Sequence, residues 1–323
     1  MTDQPPDKDP ETAAIVSKVY QLFQQGGQAR KPPDILYHYT DSGGLMGIVE
    51  SGIIRATHVT FMNDATEYMH AVELLRGKVV KAQKQQEGIH EAALLADMEM
   101  NLIATRPANF YPQFVACFSG QVNSLSQWRA YGRGEGAFAI GFDAAQLAEA
   151  AARTNVLFCH VTYDVDQQSK LVQDLLDWAI TEYPKLANAQ PANTRDEHRR
   201  RWVAKLFQFA AQIAPVMKNP NFKEENEWRL ISPLIPLGKV GFVPKPAGLV
   251  PFAKLRMGKG QLPDQVPNPE HVQPLPDLLP IKVVWSGPGR FNEISLMAAQ
   301  GLFRQCNYAN VEFKTSTIPF RVT

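Results

Sequence analysis

Between Phe222 and Ile231 the chain reads FKEENEWRLI, which sets three glutamates, a tryptophan and an arginine within six residues. In an extended strand alternate side chains share a face, so Glu225, Glu227 and Arg229 are expected on one side and Trp228 and Leu230 on the other. Two carboxylates crowded on one strand face repel each other unless a cation compensates them. Such crowding tends to lift one acid towards the range where it can move protons. The same pattern also describes an edge strand with a solvated Glu/Arg face, and the residues alone leave both readings open.

Three other groupings carry polar chemistry. His38 stands between Tyr37 and Tyr39 in a run rich in β-formers, and alternation puts it on the same face as Thr40. Together they can hydrogen-bond a ribose or an amide, or His38 can simply be a satisfied, partly buried histidine. Phe61, Asn63, Glu67 and Tyr68 gather at a strand-to-helix junction. Their aromatics can stack on a cationic heterocycle, or Asn63 can cap the helix while Tyr68 packs in the core. Ser119 precedes Ser126-Gln127-Trp128-Arg129, where an arginine beside two serines is equipped to hold a diphosphate through forked bonds. Its alternative is an arginine on a surface loop.

Other signals are thinner. Gly132 to Gly136 lacks the Walker pattern and reads as a hairpin turn. The run Arg195, Arg199, Arg200 and Arg201 reads as a solvated helix face. Cys159-His160 has no matching ligand pair, so no metal site is expected.

The elements that must position these groups follow from periodicity and punctuation. Residues 1–33 read as a loose tail and an amphipathic helix that starts at Asp9-Pro10 and stops at Gly26-Gly27. A strand from Ile35 to Thr40 leads through Asp41-Ser42-Gly43-Gly44 into a short helix ended by Gly52. Ile53 to Phe61 is strand-like, and helices follow towards Gly88 and over about 89–105. Strands are expected at Phe114–Phe118, Ala137–Phe142 and Val156–Val165, with 124–131 irregular and Asp143 capping an alanine-rich helix. Residues 166–216 read as two helices split near Pro184 to Pro191, forming a helical insertion. Prolines 244, 246 and 251 predict short edge strands over 238–257, because proline cannot donate to a ladder. A proline-rich connection, a strand over 281–285, a helix from about Asn292 and a last strand over 311–314 close the chain. Strands and helices mix without regular βαβ alternation, so the expected class is α+β with mostly antiparallel sheets, one domain over 34–323.

Composition narrows the setting. Lys plus Arg (33) almost cancels Asp plus Glu (32), so no global field draws the chain to nucleic acid or an anionic membrane. Three scattered cysteines, Cys117, Cys159 and Cys306, give no disulfide framework and fit a reducing cytoplasm. The acidic start lacks an export signal, and no apolar run long enough to span a bilayer occurs. Oligomeric state is not encoded legibly.

The segments LYHYTDSGGLMGIVESGIIRATHVTFMNDATEY, FVACFSGQVNSLSQWRAYG, EENEWRLI and STIPFR resemble, in order and spacing, a bacterial family catalogued as a domain of unknown function. That family in turn is similar to a remote branch of the ADP-ribosyltransferase fold. The resemblance implies NAD as substrate, with His38 and Thr40 on its ribose and nicotinamide. Phe61 and Tyr68 would be the stacking aromatics, with Ser119 and Arg129 beside the diphosphate. Glu227 would be the catalytic glutamate and Glu225 its pair. Two departures stand out: Tyr39 occupies a position where the toxin-like pattern usually has glycine, and the aromatic spacing is shorter. The expected activity is transfer of ADP-ribose to a macromolecule, protein or nucleic acid, as in a bacterial toxin or defence effector. NAD hydrolysis by water and a non-catalytic nucleotide-binding module are the alternatives.

Overall fold

The computed structural model of the protein describes residues 9–27, 30–62, 67–85, 88–104, 113–131, 136–245, 248–259 and 275–318. Expectations for Asn63, the turn at 132–135, most of the proline-rich connection and the last residues of STIPFR lie outside them. Where the sequence suggests one domain with a helical insertion, the chain clusters into two compact units. One comprises residues 1–29, 59–111 and 161–222, the other 30–58, 112–160 and 223–323.

The first unit is helical. It contains α1 (Pro10–Gly27), α3 (Glu67–Gln83), α4 (Ile89–Ala104), α7 (Val165–Ala189) and α8 (Arg195–Ala210). Asp9 accepts from Glu11 N–H and the Thr12 hydroxyl, which satisfies donors at the open start of α1. Leu171, Val172, Leu175, Leu176 and Ala179 recur at helical spacing along α7 and are buried together with Leu22, Met98 and Trp202. The expected break at Pro184 does not occur: α7 runs through it to Ala189. Tyr183 and Ala187, buried on either side of the proline, keep the helix packed where its own ladder loses a donor. The expected insertion at 166–216 thus belongs to a larger helical body built from three stretches of chain.

The arginine run in α8 is not simply solvated. Arg199 bonds Asp97 at 2.7 Å and Asp196 at 2.7 Å, and Arg195 donates to the carbonyls of Ala187 and Gln190.

The second unit is organised on a ten-stranded sheet. Its strands are β1 (Ile35–Asp41), β2 (Ile53–His58), β3 (Phe114–Ser119), β4 (Ala137–Asp143), β5 (Leu157–His160), β6 (Glu227–Ile231), β7 (Gly241–Lys245), β8 (Gly248–Arg256), β9 (Ile281–Ser286) and β10 (Glu312–Thr315). The order is β10-β9-β4-β1-β3-β2-β8-β7, with β6 pairing both β3 and β5. Among the described strand pairs only β9 with β10 is parallel, so the mixed α+β class with a mostly antiparallel sheet holds. Pro251 is tolerated in β8 because β2 pairs only Phe252 to Arg256, leaving the proline bonded to β7 alone. β7, with Pro244, is the edge strand the prolines suggest, whereas β8 is not one over the half that β2 covers.

Helices α2 (Ser42–Ser51), α6 (Ala144–Arg153) and α9 (Asn292–Gln305) cover one sheet face. Leu45, Ile48, Leu147, Ala150 and Phe303 join Leu36, Phe118, Ile140, Trp228 and Leu230 in its core. Asp41 caps α2 by accepting from Gly44 N–H at 2.8 Å, and Gly52 ends it at φ +64°, as the turn residues predict. Truncating a fully buried residue such as Leu230 to alanine is expected to cost about 2–5 kcal/mol. On the other face α5 (Leu125–Tyr131), a helix where the sequence suggests irregular chain, buries Trp128 against Tyr39, Ala137 and Ala139. The Trp128 indole N–H donates to Asn123 Oδ1 at 3.1 Å, so the Ser-Gln-Trp-Arg segment is anchored by its tryptophan.

Candidate functional site

β6 begins later than FKEENEWRLI suggests. Residues 220–225 form 3-10 turns, and Asn226 adopts φ +42° before the strand opens at Glu227. Asparagine tolerates this left-handed conformation, and it breaks the alternation. Glu225 therefore lies outside the strand and does not share a strand face with Glu227; its backbone carbonyl accepts from the Ser119 hydroxyl at 2.8 Å. Gly120 lies against this corner: its N–H donates to the Asn226 carbonyl at 2.9 Å, and any side chain there would collide with the Asn226 amide.

Glu227 and Arg229 do share a face. Arg229 Nε donates to Glu227 Oε1 and Nη2 to Oε2, each at 2.9 Å, with the side chains 0% and 4% exposed. This is a two-pronged, charge-assisted pair sealed in the sheet. Cys117 on β3 and Cys159 on β5 stand opposite Arg229. Burial pushes the Cys159 thiol up to about 12, against the opposing pull of the Arg229 charge, so it is not a nucleophile at neutral pH.

Register decides which predicted residues meet. Ser119 pairs with Glu227 across β3 and β6, and Tyr37 pairs with Ser119 across β1 and β3. Paired residues point to one side, so Tyr37, Ser119 and Glu227 share a face. His38 and Thr40, on the alternate positions of β1, point to the other. There His38 lies 5.4 Å from the Phe118 ring on the main core side. The expectation that His38 and Glu227 face each other across one cleft is therefore not met by their strand positions. The cause is the pairing, which no local spacing reveals.

His38 is half-buried. Its Nδ1–H donates to the Cys117 carbonyl at 2.8 Å, which leaves Nε2 of the neutral ring as an acceptor. Burial lowers its pKa, partly offset by that hydrogen bond. Among the described residues β1 and β3 pair at a single position, Tyr37 with Ser119, so the sheet opens there, beside the imidazole. Thr40 is half-buried, its hydroxyl over Gly44, where a side chain would collide with it. Ser119 is committed at both ends, donating to Glu225 and accepting from Gln121 N–H at 3.0 Å. Arg129 is exposed on α5.

Phe61 and Tyr68 belong to the helical unit. Phe61 is 39% exposed, whereas Tyr68 is 8% exposed and lines an apolar cavity with Leu75, Leu102 and Phe207. Tyr68 thus takes the core role that was its alternative.

A cleft of about 320 Å³ in the sheet unit is lined by Arg30, Lys31, Pro32, Pro33, Asp34, Asn226 and Trp228. None of the first five is among the candidate residues of the sequence. Two adjacent cations before a Pro-Pro pair were the signal. Among the described residues no group of three or more His, Cys, Asp or Glu could hold a metal ion, and no helix is long and apolar enough to cross a membrane.

Residues 127–230, from α5 through Leu230 of β6, match a family described as "Protein of unknown function (DUF2971)", so the chain carries a domain of unknown function over that stretch. No curated protein and no solved structure matches the chain.

Proposed function

We propose that the sheet unit is an NAD-consuming enzyme of the ADP-ribosyltransferase kind, breaking the nicotinamide to ribose bond and passing ADP-ribose to a protein or nucleic acid. One observation carries the reading: Glu227 opens β6 opposite Ser119, next to the place where β1, bearing His38 and Thr40, separates from β3. Breaking that bond gives the ribose oxocarbenium character, and a carboxylate held in a dry site stabilises the developing charge. Arg229 fixes the Glu227 carboxylate in one orientation. His38 Nε2 accepts from a ribose hydroxyl. Glu225, half-buried at the mouth of the strand, takes the proton of the attacking group, and Arg129 holds the diphosphate. The reading requires the opening between β1 and β3 to admit one ligand to both sides of the sheet. Tyr68 has no part in it.

A second reading, a non-catalytic binding module, is favoured by the fork itself: Arg229 engages both oxygens of Glu227.

The test is incubation of the purified protein with NAD labelled in the adenosine part, together with cell lysate and nucleic acids. Label is expected in macromolecules, and lost with Glu225→Gln, a change at a half-buried residue outside the strand. Label recovered only as free ADP-ribose would make the protein a hydrolase. Label left wholly on NAD would remove both enzymatic readings and leave the module.

A further inference from the structure

At the corner between the start of β6 and the end of β5, two polar contacts converge on one ring nitrogen. Arg30 Nη1 lies 3.5 Å from His160 Nε2, and the same nitrogen lies 3.1 Å from Asn226 Oδ1. One ring nitrogen cannot serve both. Protonated, it donates to Asn226 and turns an N–H towards the guanidinium; bare, it accepts from Arg30 and faces the amide oxygen lone pairs. Turning the amide does not help, since its NH2 and Arg30 would then compete for one lone pair. An oxyanion between Arg30 and the ring removes the conflict, because it accepts from the guanidinium and releases Nε2 to Asn226.

The rest of the cleft fits such a ligand. Arg30 and Lys31 are exposed cations against a single exposed acid, Asp34, so the rim is net positive. Pro32 and Pro33 give a rigid apolar wall. Trp228 forms the floor, edge-on to His160 at 5.1 Å and stacked on Phe158 at 5.2 Å. Burial depresses the His160 pKa; the Asn226 hydrogen bond opposes the fall, the Arg30 charge adds to it and the Glu227 charge offsets part of it.

We infer that this cleft binds a small aromatic molecule through its phosphate group, with Arg30 and Lys31 on the oxyanion, the His160 Nε2–H released to Asn226 behind it, and Pro32, Pro33 and Trp228 against the ring. The site shares no side chain with the NAD chemistry proposed above, so either can fail alone. Its size suits a single ring with one anionic group better than a dinucleotide.

Phenyl phosphate, inorganic phosphate and phenol, titrated against the full chain by calorimetry with the His160 imidazole resonances followed in parallel, test it. Phenyl phosphate is expected to bind with Kd on the order of 1 mM or tighter, inorganic phosphate more weakly and phenol not measurably. Arg30→Glu is expected to weaken phenyl phosphate by at least about tenfold, with Arg30→Lys in between. Because Arg30 is exposed, the unfolding midpoint should not move in either variant. Absence of heat and of an imidazole shift with phenyl phosphate at about 10 mM, or wild-type affinity in Arg30→Glu, would overturn the site. Equal affinity for phosphate and phenyl phosphate would overturn its aromatic half.

Discussion

Two polar clusters flank the first residues of β6, and they are built on opposite plans. At Glu227 and Arg229 two guanidinium N–H groups meet both carboxylate oxygens inside the sheet, with almost no exposure. At Arg30, His160 and Asn226 two groups converge on one nitrogen at the rim of an open cleft. The first arrangement neutralises two buried charges within a single strand. The second leaves a positively charged rim open to a cleft. Alternation along one strand already puts Glu227 and Arg229 side by side, whereas Arg30, His160 and Asn226 come from three distant segments and meet only in the fold.

The largest effect should come from breaking the matched cluster. Arg229→Met is expected to destabilise the protein by about 3–5 kcal/mol in denaturant unfolding, because it strands a buried carboxylate. The double variant Glu227→Met with Arg229→Met should recover most of that loss. A cost under about 1 kcal/mol for the single change would mean that Glu227 reaches water and the cluster is open like the other.

The sheet's two faces give the next test. The His38 pKa is lowered in the fold, so the unfolded chain binds the proton first as pH falls. His38 thus supports the fold fully above its ordinary value of about 6.5, and that support fades as pH drops below it towards the folded pKa. Urea midpoints measured from pH 8 to pH 5 should fall more steeply for the wild type than for His38→Gln. His160 adds a slope of the same sign, so the difference between the two proteins is the readout.

The smallest effect calibrates the role of burial. Asp9 and Lys205 form a pair in the helical unit with side chains about 40% exposed. The Lys205 hydrogen bond leads in lowering the Asp9 pKa to about 2. Its contribution is present above about 3.8 and is lost as pH falls towards 2. With solvent screening, Lys205→Ala should cost no more than about 1 kcal/mol, whereas Asp9→Ala should cost somewhat more, since it also removes the cap of α1. Thermal unfolding of the two variants separates the contributions.

The local parts of this structure were readable from the chain. Asp41 and Gly52 bracket α2, Asp143 caps α6 through Gln146 N–H, and Trp228 and Leu230 face the core, all from short-range rules. What failed depended on distant partners or on one permissive residue. Asn226 at φ +42° removed Glu225 from the strand. Tertiary packing carried α7 through Pro184, and a buried tryptophan gave order to 125–131. The strand expected over Val156 to Val165 shortened to four residues: after His160 the chain turns to the 216–218 segment, where Thr162 N–H donates to the Val216 carbonyl, and Asp164 then caps α7. The sides taken by His38 and Glu227 were set by the pairing of β1 with β3 and of β3 with β6, between segments far apart in sequence. Periodicity gives each strand two faces but cannot tell which face of a remote strand it will join.

β3 is hydrogen-bonded to β6 along one edge, and shares its other edge between β1 and β2. During synthesis β1 and β2 precede it, but the residues of β6 leave the ribosome only about 100 positions later, at a pace of roughly 5–20 residues per second. For several seconds an apolar ribbon, Phe114-Val115-Ala116-Cys117-Phe118, offers one bare side to any passing nascent chain. The protein's need for chaperone shelter should therefore be greatest before translation reaches Glu227, and should ease once that residue is available to dock.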